Sequence, residues 1–215
     1  TAEQDYKHKL FAFMYAGIPC VNSLDSIYHF LERPIVHAEL TKAAKVQGES
    51  AFPVIPQSFF PYYRNMMYGG QFPCVAKVGH AHAGYGKMRI ANHKDMEDFR
   101  SVIAVTGKYV TAEPYLEGEY DLRVQKIGTH LRCFKRFSIS GSWKTNMGSS
   151  HVEEIELTEQ YRMWAEVAGK FFGGLDICTV DAIHTKDGKE YILEVLDIDT
   201  DVDSWVLINL IVESI

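Results

Sequence analysis

Pro73-Cys74-Val75-Ala76-Lys77-Val78-Gly79-His80-Ala81-His82-Ala83-Gly84-Tyr85-Gly86-Lys87 joins an apolar strand carrying an inward lysine to a glycine-rich turn with a second lysine. A lysine in a buried strand is costly unless an anion partners it. Gly79, Gly84 and Gly86 let the backbone bend closely enough to offer N–H groups to oxyanions. The pattern reads as a phosphate site, and the anion it suits is a nucleoside triphosphate. After Lys87, Met88-Arg89-Ile90-Ala91 alternates like a strand, so the turn links two strands and folds over its ligand. A Walker A loop is excluded: Gly79 and Gly84 are followed by Tyr85, and Gly86-Lys87 by Met88, with no hydroxyl placed for magnesium. An ordinary hairpin loop with a solvated lysine explains the same residues, so other segments must decide.

With 215 residues, 47% of them hydrophobic and 13% aromatic, the chain can bury a core as one large or two small domains. A net charge of −6 argues against a general nucleic-acid binder, which needs a basic stripe. The longest apolar run is well short of a membrane span and no charged-then-apolar leader opens the chain, so a soluble, unsecreted protein is expected. Cys20, Cys74, Cys133 and Cys178 form no C-x-x-C pair and read as small buried hydrophobes in a reducing compartment.

Helix and strand patterns alternate in a mixed α+β (α/β) order. Residues 15–21 read as a turn into a short strand. Asn22 or Ser23 then caps a helix with Leu24, Ile27, Tyr28 and Leu31 inward. Pro34 opens a second helix over 34–46, and 52–56 reads as an extended linker with a domain boundary near 48–52. A helix over 93–105 buries Met96, Phe99 and Ile103, and strands follow over 109–116, 121–127 and 131–138. Thr158 caps a helix running through Phe172, closed by Gly173-Gly174. Strands over 175–184 and 191–195 flank the Asp187-Gly188 turn.

On that last hairpin, Asp181 and Glu194 supply the hard oxygen donors that magnesium or calcium takes beside phosphate and water, provided strand parity puts both on one face. Arg123 and Lys126 alternate with Val124 and Ile127 and mark a charged face, either solvated or in contact with phosphate or ribose. His80 and His82 lack a third zinc ligand nearby and read as loop packing. Asp197, Asp199, Asp201 and Asp203 resemble the start of a calcium loop, but Val202 stands where its glycine belongs, so a solvated acidic edge is expected.

Several segments together resemble the central domain of the synapsins. They are Tyr15-Ala16-Gly17-Ile18-Pro19, Val21-Asn22-Ser23-Leu24, Phe59-Phe60-Pro61, Ala76-Lys77-Val78-Gly79-His80-Ala81-His82, Ala112-Glu113-Pro114, Tyr120-Asp121-Leu122-Arg123-Val124-Gln125-Lys126-Ile127-Gly128, Ser140-Gly141-Ser142-Trp143-Lys144-Thr145-Asn146 and Phe172-Gly173-Gly174-Leu175-Asp176-Ile177-Cys178. The likeness runs almost continuously from about residue 10 to Val195. It implies an ATP-grasp-like fold in which two lobes clamp ATP. Residues 1–50 would be the remnant of a preceding α/β subdomain, with a small lobe over about 51–115 and a large lobe over about 116–215.

The resemblance also assigns roles. Arg33 stands at the cleft edge where the family usually has lysine. Lys77 contacts the α and β phosphates, and Gly79, His80, Gly84, Gly86 and Lys87 belong to the mobile cover. Glu113, Pro114, Tyr115 and Leu116 form the hinge against adenine. Arg136 and Lys144 reach the outer phosphates, with Arg123 a further contact, and Asp181 and Glu194 hold Mg2+ or Ca2+. The tail after Val195 departs from the family, and Asp181 is one methylene shorter than the glutamate expected there. The implied function is a cytoplasmic ATP-binding module, peripheral on synaptic vesicles of the presynaptic terminal. It would self-associate and act in vesicle clustering, neurotransmitter release and actin association. An ATP-grasp ligase that makes an acyl phosphate is the alternative. The rewritten tail, with no clear acceptor pocket, favours binding without turnover.

Overall fold

The computed structural model describes residues 7–67, 69–80, 85–139, 143 and 150–197. Three helices lead: α1 (Lys7–Ala16), α2 (Leu24–Phe30) and α3 (Arg33–Gln47). A four-stranded antiparallel sheet follows, made of β1 (Ser58–Phe60), β2 (Cys74–Val78), β3 (Lys87–Ile90) and β4 (Val110–Pro114) in the order β1-β4-β2-β3. Helix α4 (His93–Thr106) covers it. The Asn92 side chain accepts from the Lys94 and Asp95 N–H groups to start α4, and Gly107 at φ 64° ends it. Met96, Phe99 and Ile103, at helical spacing, join Phe60, Met66, Cys74, Ile90 and Val110 in one core.

A second antiparallel sheet contains β5 (Gly118–Ile127), β6 (His130–Ser138), β7 (Ser150–Ile155), β8 (Ile177–Thr185) and β9 (Glu190–Leu196), in the order β7-β6-β5-β8-β9. Helix α5 (Glu159–Ala168) packs on it, with Trp164 fully buried and its Nε1–H donating to the Ala51 carbonyl at 2.8 Å. The same core takes Val36, Leu40 and Ala44 from α3, together with Phe52.

The architecture is the mixed α+β expected, with local differences. Residues 15–21 form no strand: α1 ends at Ala16 and irregular chain follows. In α2 the buried positions are Ser26 and Phe30, while Tyr28 is exposed. Buried Asn22, just ahead of the helix, donates to the Ile177 carbonyl and accepts from the Asp176 and Ile177 N–H groups. Residues 52–56, expected as an extended linker, are packed: Phe52 and Ile55 are buried, and Ile55 and Pro53 exchange backbone hydrogen bonds with Ile192 on the edge of β9. Helix α5 stops at Ala168, not Phe172. A Cβ on Gly169 would lie 2.9 Å from Lys126 Cδ, and Phe172 turns back at φ 50°. Among the described residues no helix is long and apolar enough to cross a membrane.

Candidate functional site

The two sheets face each other across a cavity of about 420 Å³, within the size range of small-molecule sites. Its roof is Val75 and Lys77 of β2, Lys87 of β3 and Glu113 of β4; Pro114, Tyr115 and Leu116 form the back; Asp121, Arg136, Asp181 and Glu194 stand on the floor.

Lys77 is 3% exposed, and its Nζ lies 2.6 Å from Glu113 Oε1. The register explains the pair. Val75 is opposite Glu113 and Lys77 is opposite Thr111, so Lys77 and Glu113 are diagonal neighbours on one face. Burial pushes the Lys77 pKa down, with Glu113 and then Glu194 opposing the shift. Glu113, expected at the hinge, therefore sends its side chain into the roof, where Gln57 Nε2 also donates to it at 3.3 Å.

Asp181 and Glu194 are register partners on β8 and β9, and both line the cavity. Each is held by cations. The Arg123 guanidinium takes Asp181 in a two-pronged grip, Nε to Oδ1 and Nη2 to Oδ2, both 3.0 Å. Arg33, from the first turn of α3, donates Nη1–H to Glu194 Oε2, and Lys87 Nζ lies 3.4 Å from Oε1. Burial works to raise the Glu194 pKa, yet Arg33, Lys87 and Lys77 outweigh it and hold the carboxyl well below its ordinary range. Arg33 and Arg123 do not line the cavity themselves; they meet it through these two carboxylates. Arg136 does line it. Its Nη2 is 3.4 Å from Asp121 Oδ2, and its buried Nε–H has no hydrogen-bond partner among the described residues.

The β2–β3 turn is bent at Gly79 (φ 52°) and Gly86 (φ 67°), and Val78 N–H donates to the Gly86 carbonyl. His80 is fastened outside the cavity: Nδ1 bonds the Leu31 carbonyl and its own carbonyl accepts from Arg33 Nε at 2.8 Å. Gly84, His82, Lys144 and the aspartates at 199, 201 and 203 lie outside the described residues. No three His, Cys, Asp or Glu side chains among the described residues gather as a metal cage.

Arg123 and Lys126 do not share a face, because residues three apart on a strand point oppositely; Lys126 instead donates to the Leu175 carbonyl at 2.6 Å. The sequence reading also missed Asp121 and Arg89. Asp121 stands two positions before Arg123, a spacing that places both on one face. The Arg89 guanidinium lies 4.1 Å from the centre of the Tyr115 ring, with Trp143 edge-on at 6.1 Å, and no local spacing announces that stack.

The residues fit a triphosphate and a hard cation in kind. Lys77, Lys87 and Arg136 line one space, and two opposed carboxylates offer oxygen.

Residues 22–206 match the family model described as the ATP-binding domain of synapsin. Synapsin of Drosophila melanogaster is 38% identical over 197 residues, covering 90% of this chain. The chain spans 19% of that relative's length. Among solved structures, N5-carboxyaminoimidazole ribonucleotide synthetase in its ADP complex superposes with a TM-score of 0.69 at 14% identity, covering 92% of this chain and 52% of that one. D-alanine–D-alanine ligase from Bacillus anthracis, complexed with ATP, gives 0.67 at 16% identity over 95% and 72%. The ATP-grasp ligase PsnB with its minimal precursor gives 0.63 at 18% over 95% and 67%. At these identities the solved structures show the shared fold, which is ATP-grasp.

Proposed function

The chain belongs to the synapsin family, and on that premise we propose that its interlobe cavity binds ATP with Mg2+ or Ca2+ without turnover. One observation carries the reading: Lys77, Lys87, Arg136, Asp181 and Glu194 converge on a single cavity between the lobes of an ATP-binding domain. Lys77 and Lys87 take phosphate oxygens from the roof and Arg136 from the floor, and Lys144 adds to them. The turn from Gly79 to Gly86, Gly84 included, covers the phosphates, with His80 anchoring its base outside the cavity. Arg33 and Arg123 act through Glu194 and Asp181, the two carboxylates that hold the cation. The bound cation supplies charge neutralisation between those acids and the phosphates. Pro114 has no N–H and the Tyr115 N–H is spent on the Pro73 carbonyl at 3.0 Å, so the Leu116 N–H is the hinge donor to the base. Glu113 anchors Lys77.

The domain assignment goes with this reading: a small lobe over about 51–115, a large lobe over about 116–215, and residues 1–50 as the remnant of a preceding subdomain. On the family's account the whole protein is cytoplasmic and peripheral on presynaptic vesicles. Nucleotide-dependent closure of the lobes regulates self-association, vesicle clustering and actin contact, and so neurotransmitter release. No observation here favours the ligase reading.

Calorimetric titration of ATP with Mg2+ or Ca2+ tests the site. The charge-balanced Lys77→Met/Glu113→Gln variant, which leaves no unpaired buried charge, is expected to lose at least about tenfold in affinity, the worth of one charge-assisted hydrogen bond. Unchanged affinity would move the phosphates elsewhere. Release of ADP with carboxylate and amine co-substrates would replace the binding module by a ligase.

A further inference from the structure

Glu194 is where the cleft's cations meet. Arg33 reaches it from α3 and Lys87 from the roof strand β3, while Lys77 in β2 is the third cation whose field it feels. The pairs are sheltered: the Arg33 side chain is 10% exposed and that of Glu194 18%. Within this partly buried space a carboxylate ringed by cations occupies the role that a phosphate oxygen would fill.

We propose that Glu194 is the internal counter-anion of the phosphate cleft, holding Arg33 and Lys87 in place of phosphate until a divalent cation takes its carboxylate. The inference rests on the ATP reading above and deepens it. A bare triphosphate arriving at this cleft finds Arg33 and Lys87 already neutralised and meets the negative charge of Glu194 at short range. Both effects oppose it in a low-dielectric site. Once a cation holds the Glu194 carboxylate, Lys87, which lines the cavity, is released to the phosphates, and the charge of Arg33 behind Glu194 is no longer cancelled. Nucleotide and cation then favour each other by a coupling that this one side chain supplies. Lys77 is set apart from the exchange, because its partner Glu113 belongs to the roof itself. The Lys87–Glu194 pair instead ties roof to floor, so releasing it removes one of the ties on β3, while His80 stays fastened to Leu31 and Arg33.

The consequence runs against the effect of deleting a metal ligand. Glu194→Gln keeps the side chain's shape and removes its charge, so ATP binding becomes less dependent on the cation instead of being abolished. Wild type and variant are titrated with ATP in Mg2+ and again in EDTA. In EDTA the variant is expected to bind at least about fivefold more tightly than wild type, with its Mg2+-to-EDTA affinity ratio falling toward one, a coupling of ordinary allosteric size. Weaker binding than wild type in Mg2+ with unchanged binding in EDTA would mean that Glu194 is a metal ligand and nothing more, and would overturn the proposal. Absence of ATP binding by wild type in any buffer would overturn the ATP reading and this inference with it. If Glu194→Gln fails to fold, as judged by circular dichroism, the charge-balanced Arg33→Gln/Glu194→Gln pair replaces it. That variant retains Lys77 and Lys87, and a ratio equal to wild type's would refute the counter-anion role.

Discussion

His37 on α3 shows how closely the residues around this cleft depend on charge. Its Nδ1 is buried with no hydrogen-bond partner among the described residues. Burial lowers its pKa from 6.5; Glu113 opposes the shift and Lys77 adds to it. Arg33, Gln57 and Glu194 line the small cavity beside it. A buried neutral histidine binds a proton less readily folded than unfolded, so the unfolded chain takes up protons first as the pH falls. Stability is therefore lost as the pH drops from about 6.5 toward the lowered folded pKa, and is level above that window. The expected outcome for His37→Gln is a smaller drop in melting temperature between about pH 7.5 and about pH 5.5 than wild type shows. An equal drop in both proteins would place the titration elsewhere.

At the scale of elements, α5 shows what local chemistry announces and what it conceals. Thr158 accepts from the Tyr161 N–H at 3.2 Å, as the residue type at that place implied. Thr158→Ala is expected to cost about 1 kcal/mol, seen as a lower urea midpoint with an unchanged slope. The far end was not legible: α5 closes at Gly169, where the Lys126 side chain of another strand lies so close that a Cβ would meet it at 2.9 Å. Strands β1 and β7 were missed for a related reason: both are edges, and β7 leaves His151, Val152, Glu153 and Glu154 exposed, so no apolar alternation marks it. Helix α4 was legible at both ends, since Asn92, Gly107 and the spacing of Met96, Phe99 and Ile103 all act within one stretch of chain. The cleft divides in the same way. The inward lysine of β2 follows from strand periodicity, whereas the pairing of Asp181 with Glu194 needs the register shift between Asp181 and Ala182, and the grip of Arg123 on Asp181 and of Arg33 on Glu194 depends on tertiary pairing.

On the scale of the molecule, the cleft lies between two separate cores. Phe60, Ile90, Phe99, Ile103 and Val110 hold the four-stranded sheet to α4, while Leu40, Phe52, Trp164, Val180 and Ile192 join α3 and α5 to the five-stranded sheet. Helix α3 thus brings Arg33 to Glu194 as part of the core under the five-stranded sheet. Leu40 and Ile103 are each 1% exposed, so truncating either to alanine is expected to cost about 2–5 kcal/mol. The loss should stay within one lobe. Native-state hydrogen exchange is expected to speed up across β2 to β4 and α4 in Ile103→Ala while β5, β8 and β9 keep their protection, with the reverse in Leu40→Ala. Acceleration throughout both sheets in either variant would mean that the lobes open as one cooperative unit, leaving the roof no freedom to move when Lys87 lets go of Glu194.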